Sequence, residues 1–242
     1  MVILYEVHDN LYVNMTNKCP CACTFCLRQT RDEMNHSGSL WLEREPSVEE
    51  VKNEFSKFDM NKYKEVVFCG FGEPTERLDD VLEVCRFIKD KYNKTIRINT
   101  NGLADLIHKK NTAPMFDGLI DIVSISLNTP NKERYLELTR SKFGIESFDA
   151  MITFAENVKH YVKEVVLSTV STTLTEEEIC KKAAECGIRL MGIREHYIHT
   201  PPEGRPVLLL GYGKPDEQEI QKGLEVLESI ITGRNSNNCK KP

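Results

Sequence analysis

The chain has 242 residues, with 32 Lys and Arg against 37 Asp and Glu for a formal net charge of −5, and nine cysteines. With 40% hydrophobic and 29% charged residues the composition is that of an ordinary globular protein; its apolar runs are short pieces such as Val165 to Leu167 and Val207 to Leu210, far short of the ~20 residues that cross a bilayer, and Met1 to Tyr5 carries no basic leader. A membrane span is excluded, nucleic acid is not indicated, a cytoplasmic address is expected, and an odd count of thiols there argues against a disulfide framework.

A first strand is expected over Leu11 to Thr16, where Val13 and Met15 oppose Asn14 and Thr16. Directly after it, four of the nine cysteines crowd into eight residues: Cys19, Cys21, Cys23 and Cys26. Clustered thiolates in a cytosolic chain are soft metal ligands. Residues 27 to 46 show no regular pattern. Ser47 with Glu50 makes a capping box, after which Val48, Val51, Phe55 and Phe58 recur at helical spacing. A second strand, Lys64 to Cys69, runs into Gly70-Phe71-Gly72-Glu73-Pro74, where glycine lets backbone N–H groups approach a ligand and a carboxylate stands ready for an ammonium. A helix with Leu78, Leu82, Cys85 and Ile88 on one face follows.

The third strand, Thr95 to Asn99, sets Ile96 and Ile98 against Arg97 and Asn99 and ends in Asn99-Thr100-Asn101-Gly102, a good turn with or without a ligand. In the fourth, Ile122 to Asn128, Val123, Ile125 and Leu127 oppose Ser124, Ser126 and Asn128; in the fifth, Glu164 to Thr169, Ser168 alternates with Val166 and Val170. Thr175 with Glu178 opens a helix that Gly187 stops, and a sixth strand covers Ile188 to Ile193. Arg194, Glu195, His196 and His199 then either position a substrate or pair as surface ions. Tyr197 to Lys214, with Pro201-Pro202 and Gly204, reads as a lid, before an amphipathic helix over about Glu217 to Ile231 and a polar tail, Arg234 to Pro242.

Strands alternating with helices imply an α/β fold with parallel pairing and right-handed crossovers. Six units suit this length better than the eight of a complete barrel, which usually needs about 250 residues. The expectation is therefore one domain, 1–233, with a tail at 234–242, folded as a partial (β/α)6 TIM-like barrel; a flat doubly wound sheet is the rival. A persistently polar strand face would line a wet lumen, where Asn14, Arg97 and Asn99 would suit a polar or anionic ligand.

Read as Cys19-x-x-x-Cys23-x-x-Cys26, with Phe25 before the last thiol, the segment NKCPCACTFCLR resembles the cluster loop of the radical SAM (S-adenosylmethionine) superfamily. The resemblance implies that Cys19, Cys23 and Cys26 ligate a 4Fe-4S cluster whose fourth iron is left open for S-adenosylmethionine. An electron from the cluster then breaks the sulfonium–carbon bond, and the 5′-deoxyadenosyl radical takes hydrogen from a substrate the motifs do not identify. By the same likeness Gly70, Phe71 (through its backbone), Gly72 and Glu73 hold the methionine amine, Phe25 lies against adenine, and Asn101, Ser126, Asn128 and Ser168 line the nucleoside. The bland alternative for these hydroxyls and amides is satisfaction by their neighbours. An external low-potential donor of flavodoxin or ferredoxin type is implied. The CPCACTFC loop and FGEPT turn look more narrowly like the TatD-associated radical SAM proteins, which are linked to a TatD-type hydrolase.

Two other readings stay open. A glycyl-radical-enzyme activase fits the compact size, since Cys69, Cys85, Cys180, Cys186 and Cys239 form no second cysteine cluster. A non-catalytic module would use Cys21 as a fourth ligand to zinc or a closed iron–sulfur cluster.

Overall fold

The computed structural model describes residues 1–29, 32–34, 36–129, 131–170, 190–192 and 207–212. Among them, eight strands form one sheet: β1 (Leu4–Val7), β2 (Asn10–Val13), β3 (Glu65–Phe68), β4 (Thr95–Thr100), β5 (Ile122–Ser126), β6 (Glu164–Val170), β7 (Leu190–Gly192) and β8 (Val207–Tyr212). Their order is β1-β2-β3-β4-β5-β6-β8-β7. Strands β2 to β6 are parallel neighbours in chain order, and the crossovers carry α1 (Val48–Glu54), α2 (Leu78–Tyr92), α3 (Ala104–His108), α4 (Lys132–Thr139) and α5 (Glu146–Val158).

Side-chain alternation explains which face is covered. In β4, Ile96, Ile98 and Thr100 are buried while Thr95, Arg97 and Asn99 are half-buried. One register row, Val13, Phe68, Ile98, Val123 and Val165, runs across five strands on the covered face. It joins a single apolar cluster with Val51 of α1, Phe55 just beyond it, Leu82, Cys85 and Ile88 of α2, and Met151 and Phe154 of α5. Each such side chain contributes about 1.5–3 kcal/mol when fully buried. The opposite face is less uniformly polar than the alternation predicts: Val67 and Val166, which share rows with Arg97 and Ser124, are buried there too.

Local chemistry fixes the helix ends. Glu50 N–H donates to Ser47 Oγ at 3.2 Å and Ser47 N–H to Glu50 Oε2 at 2.8 Å, so the predicted capping box starts α1. Such a cap contributes about 1 kcal/mol. Asn93 and Arg140, both left-handed, close α2 and α4. At the N-terminal end of the sheet Asp121 is 2.5 Å from Lys89 of α2, 2.8 Å from Lys163 just before β6 and accepts the Ile96 N–H of β4 at 2.8 Å, tying these three segments to one carboxylate.

Two expectations need correction. The predicted sixth strand exists as β7, but it does not join β6; β8, antiparallel to both, lies between them. Residues 207–212 therefore form a sheet strand and not part of a lid. β1, which the periodicity does not predict, pairs antiparallel with β2 through the Val7↔Asn10 pair and extends the other edge. The helices expected after Thr175 and at Glu217 to Ile231, the tail, Arg194, Glu195, His196, His199, Cys180, Cys186 and Cys239 lie outside the described residues.

Candidate metal centre and cofactor loops

The cysteine loop leaves the C-terminal end of β2 and is braced from three sides. Residues 40–46 form a strap beneath its start. Asn14 Nδ2 donates to Leu40 O at 2.8 Å, Asn17 exchanges two bonds with Leu42 at 2.7 and 3.1 Å, and Thr16 Oγ1 donates to Glu45 at 2.7 Å. Arg77 donates to Met15 O and Pro46 O at 2.9 and 2.7 Å, locking strap to strand end.

The second brace is the C-terminus of α4. The last carbonyls of a helix have no partner within it; here Leu138 O accepts Thr24 N–H at 2.8 Å and Thr139 O accepts Ala22 N–H at 2.9 Å. Lys142 N–H returns to Pro20 O at 2.9 Å. The third brace is Arg28, which donates to Asn17 O at 3.2 Å and Cys21 O at 3.5 Å while its guanidinium sits 5.9 Å from the Trp41 ring centroid.

Within the loop the four thiols are not equivalent. Cys19, Cys23 and Cys26 are half-buried, whereas Cys21 is 4% exposed. Cys21 lies between Cys19 and Cys23 and is hydrogen-bonded to both, which pushes its own ionisation far up, while its hydrogen bonds pull theirs down. Of these three sulfurs Cys21 is the one that ionises least readily. Asn101 Nδ2 adds donors to Cys19 Sγ at 3.9 Å and Cys21 Sγ at 3.8 Å. Among the described residues no three His, Cys, Asp or Glu side chains converge on a point from which one ion could be held. Ligands of a cubane bind separate irons and need no common centre, so the donor set, soft and three-fold, fits a 4Fe-4S cluster.

The glycine-rich turn after β3 docks directly on this loop. A Cβ on Gly72 would stand 2.2 Å from Thr16 O and 2.7 Å from Lys18 O, and one on Gly70 would stand 2.1 Å from Asn14 Oδ1. Glu73 N–H donates to Lys18 O at 2.7 Å. The Glu73 side chain is buried; Oε1 accepts from Thr75 N–H (3.1 Å), Thr75 Oγ1 (2.7 Å) and Thr100 Oγ1 (2.7 Å), and Oε2 accepts the Asn101 N–H at 2.8 Å. Burial pushes its carboxyl above the usual range despite these bonds. Oε1 is fully used, and remaining capacity lies on Oε2. The Phe71 ring turns away into a small cluster with Tyr5 and Leu40, edge-on to Trp41 at 5.1 Å, which leaves its backbone toward the loop.

The strand ends place the other predicted residues. Carrying the β4–β5 register one residue past Thr100↔Ile125 brings Asn101 level with Ser126, which is opposite Ser168, so these three share one row. Ser168 Oγ donates to Ile125 O at 3.3 Å. Asn128 is left-handed at φ 64° and its amide donates to Ser126 O at 3.3 Å, so it shapes its own turn. Phe25 is half-buried beside Cys26. Arg97 does not offer a free charge to an anionic ligand, contrary to expectation: Glu65 on the neighbouring strand takes two of its N–H groups at 2.8 and 3.1 Å. Asn99 hydrogen-bonds the Cys69 thiol, whose burial pushes it up to about 11.

Sequence reasoning missed the strap, the α4 carbonyls and Tyr135, which α4 buries near the loop. A signal for α4 was present: Asn131, whose side chain caps it by accepting from Arg134 N–H at 2.8 Å, heads an amphipathic run.

The family model described as "Radical SAM superfamily" matches residues 13–181. A protein named "Probable GTP 3′,8-cyclase" from Methanocaldococcus jannaschii is 34% identical over 140 residues, 56% of this chain and 41% of its own length. One of the same name from Sulfurisphaera tokodaii is 28% identical over 232 residues, 93% of this chain and 64% of its own. The chain spans less than two thirds of the length of these curated relatives. In fold it is similar to a radical SAM methyltransferase from Sphaerobacter thermophilus, with a TM-score of 0.51 at 15% identity over 94% of this chain and 66% of that one, which supports the partial barrel. With the family match running over more than half of its residues, the chain belongs to the radical SAM superfamily, whose 4Fe-4S cluster and S-adenosylmethionine are its cofactors.

Proposed function

We propose that the chain is a radical SAM enzyme in which Cys19, Cys23 and Cys26 hold the cluster and Cys21 does not. The observation that carries this reading is the inequality of the thiols: Cys21 is buried, with Asn101 Nδ2 3.8 Å from its sulfur, while Cys19, Cys23 and Cys26 are all half-buried and within reach of a bound cluster. When bound, the cluster supplies one electron that breaks the sulfonium–carbon bond of S-adenosylmethionine, giving a 5′-deoxyadenosyl radical able to take hydrogen from substrate. The protein's part is to orient and exclude. Gly72 lets the turn lie flat on Thr16 and Lys18 so that backbone and Glu73 Oε2 face an ammonium; Gly70 and the Phe71 backbone continue that edge. Asn101, Ser126 and Ser168 offer polar groups along one row for a nucleoside, Asn128 shapes the rim, and Phe25 supplies backbone for adenine.

A low-potential flavodoxin or ferredoxin would deliver the electron in the cytoplasm. The TatD-associated subgroup, and with it a TatD-type hydrolase partner, rests on the CPCACTFC and FGEPT segments alone. The relatives' name points instead to a purine nucleotide, but over a likeness that stops short of their full length. Anaerobic reconstitution with iron and sulfide, then dithionite and S-adenosylmethionine, tests the core reading. 5′-Deoxyadenosine is the expected product; its absence from fully loaded protein contradicts the proposal.

A further inference from the structure

Tyr135 is 1% exposed, its ring packs edge-on to Phe148 at 5.6 Å, and its phenolic oxygen has no hydrogen-bond partner among the described residues. A buried hydroxyl left unbonded costs about 1–3 kcal/mol, and native proteins keep few of them. Its position narrows what it is for. Tyr135 precedes Thr139 by one turn of α4, so the two share a helix face, and Thr139 O is the acceptor that holds Ala22 of the cysteine loop at 2.9 Å. The ionisable groups near enough to act on the phenol are Cys21, Cys23, Glu73 and Cys19. Of these, the cysteines belong to the loop that α4 itself holds through Ala22 and Thr24, whereas Glu73 is tied to Thr75, Thr100 and Asn101, which makes sulfur the acceptor on the helix side.

We propose that Tyr135 is a hydrogen-bond donor to the sulfur of the metal centre: with the cluster in place, its O–H is directed to a thiolate or cluster sulfur on the α4 side and helps to set the reduction potential. The inference rests on the ligand assignment of the preceding section. A cluster gains negative charge on reduction, so a donor at sulfur stabilises the reduced state more than the oxidised one and raises the potential.

Y135F keeps the ring and its contact with Phe148 and removes the donor alone. A potentiometric titration of the reconstituted full chain, followed by the paramagnetic signal of the reduced cluster, reads the effect. Expected is a more negative midpoint, with the reduced-to-oxidised ratio at fixed potential falling roughly tenfold, about 59 mV for one electron. A loaded Y135F protein with the wild-type midpoint overturns the inference. Should Y135F lose its cluster, 3,5-difluorotyrosine at position 135, a stronger donor on the same ring, carries the test: its midpoint rises if the inference holds and stays put if it does not. Failure of the ligand assignment looks different, because the wild-type chain would then take up no cluster.

Discussion

Gly72 lies so close under Thr16 that a methyl group on its Cα would stand 2.2 Å from the Thr16 carbonyl oxygen. The glycine-rich turn and the cysteine loop are therefore one packed unit, joined also by the 2.7 Å bond from Glu73 N–H to Lys18 O. The obstructing atoms are backbone, which cannot rotate aside.

Gly72→Ala should accordingly lower stability by about 3 kcal/mol, the upper part of the range for overpacking, and displace the loop that carries the thiols. Thermal denaturation together with iron content after reconstitution checks this. A variant that melts with the wild type and loads fully would show that the loop tolerates separation from the turn.

Glu73 sits where four donors meet. Glu73→Gln places an amide N–H₂ among N–H and O–H groups that all need an acceptor, so at least one donor goes unsatisfied, at a cost of about 1–3 kcal/mol. Affinity for S-adenosylmethionine should fall about tenfold as well, since about 1.4 kcal/mol of lost interaction corresponds to that factor. Equilibrium binding to the reconstituted chain separates the two effects: weakened binding in a stably folded variant places Glu73 at the cofactor, whereas unchanged binding confines it to bracing Thr75, Thr100 and Asn101.

Asp121 anchors the far end of the sheet. Burial would raise its pKa, but Lys163, Lys89 and the Ile96 N–H together hold it below the ordinary 3.8. A carboxyl with a depressed folded pKa stabilises fully above its unfolded value and loses that contribution as pH falls through the folded value. Asp121→Asn should therefore cost about 2 kcal/mol near neutral pH, less than a fully buried pair because Lys163 is largely exposed. The gap between variant and wild type should close below pH 3.8. Urea denaturation at several pH values measures it; a gap that is constant with pH would contradict the assignment.

Much of the fold was legible because period and composition agreed. Ile96 and Ile98 against Arg97 and Asn99, or Ser47 with Glu50, leave little choice of element, and both appear as expected. β1 escaped because it is four residues long and its turn uses His8 in the left-handed region at φ 52°, where Asn or Gly is the usual sign. β8 escaped because Val207-Leu208-Leu209-Leu210 is apolar without alternation and follows Pro201, Pro202 and Pro206, which reads as a loop. At the site, the cysteine spacing and Gly72-Glu73 could be read directly since covalent sequence fixes them. The pairing of Arg97 with Glu65, the α4 carbonyls and Tyr135 could not, because each depends on a tertiary contact between segments more than 30 residues apart.

Cys21→Ala tests the central claim most directly. Reconstituted anaerobically and reduced, the variant should hold the same iron and sulfide as the wild type, and its paramagnetic spectrum should change when S-adenosylmethionine is added, because three thiolates leave one iron open. Loss of iron from this variant, with Cys19, Cys23 and Cys26 intact, would make Cys21 a ligand and contradict the account.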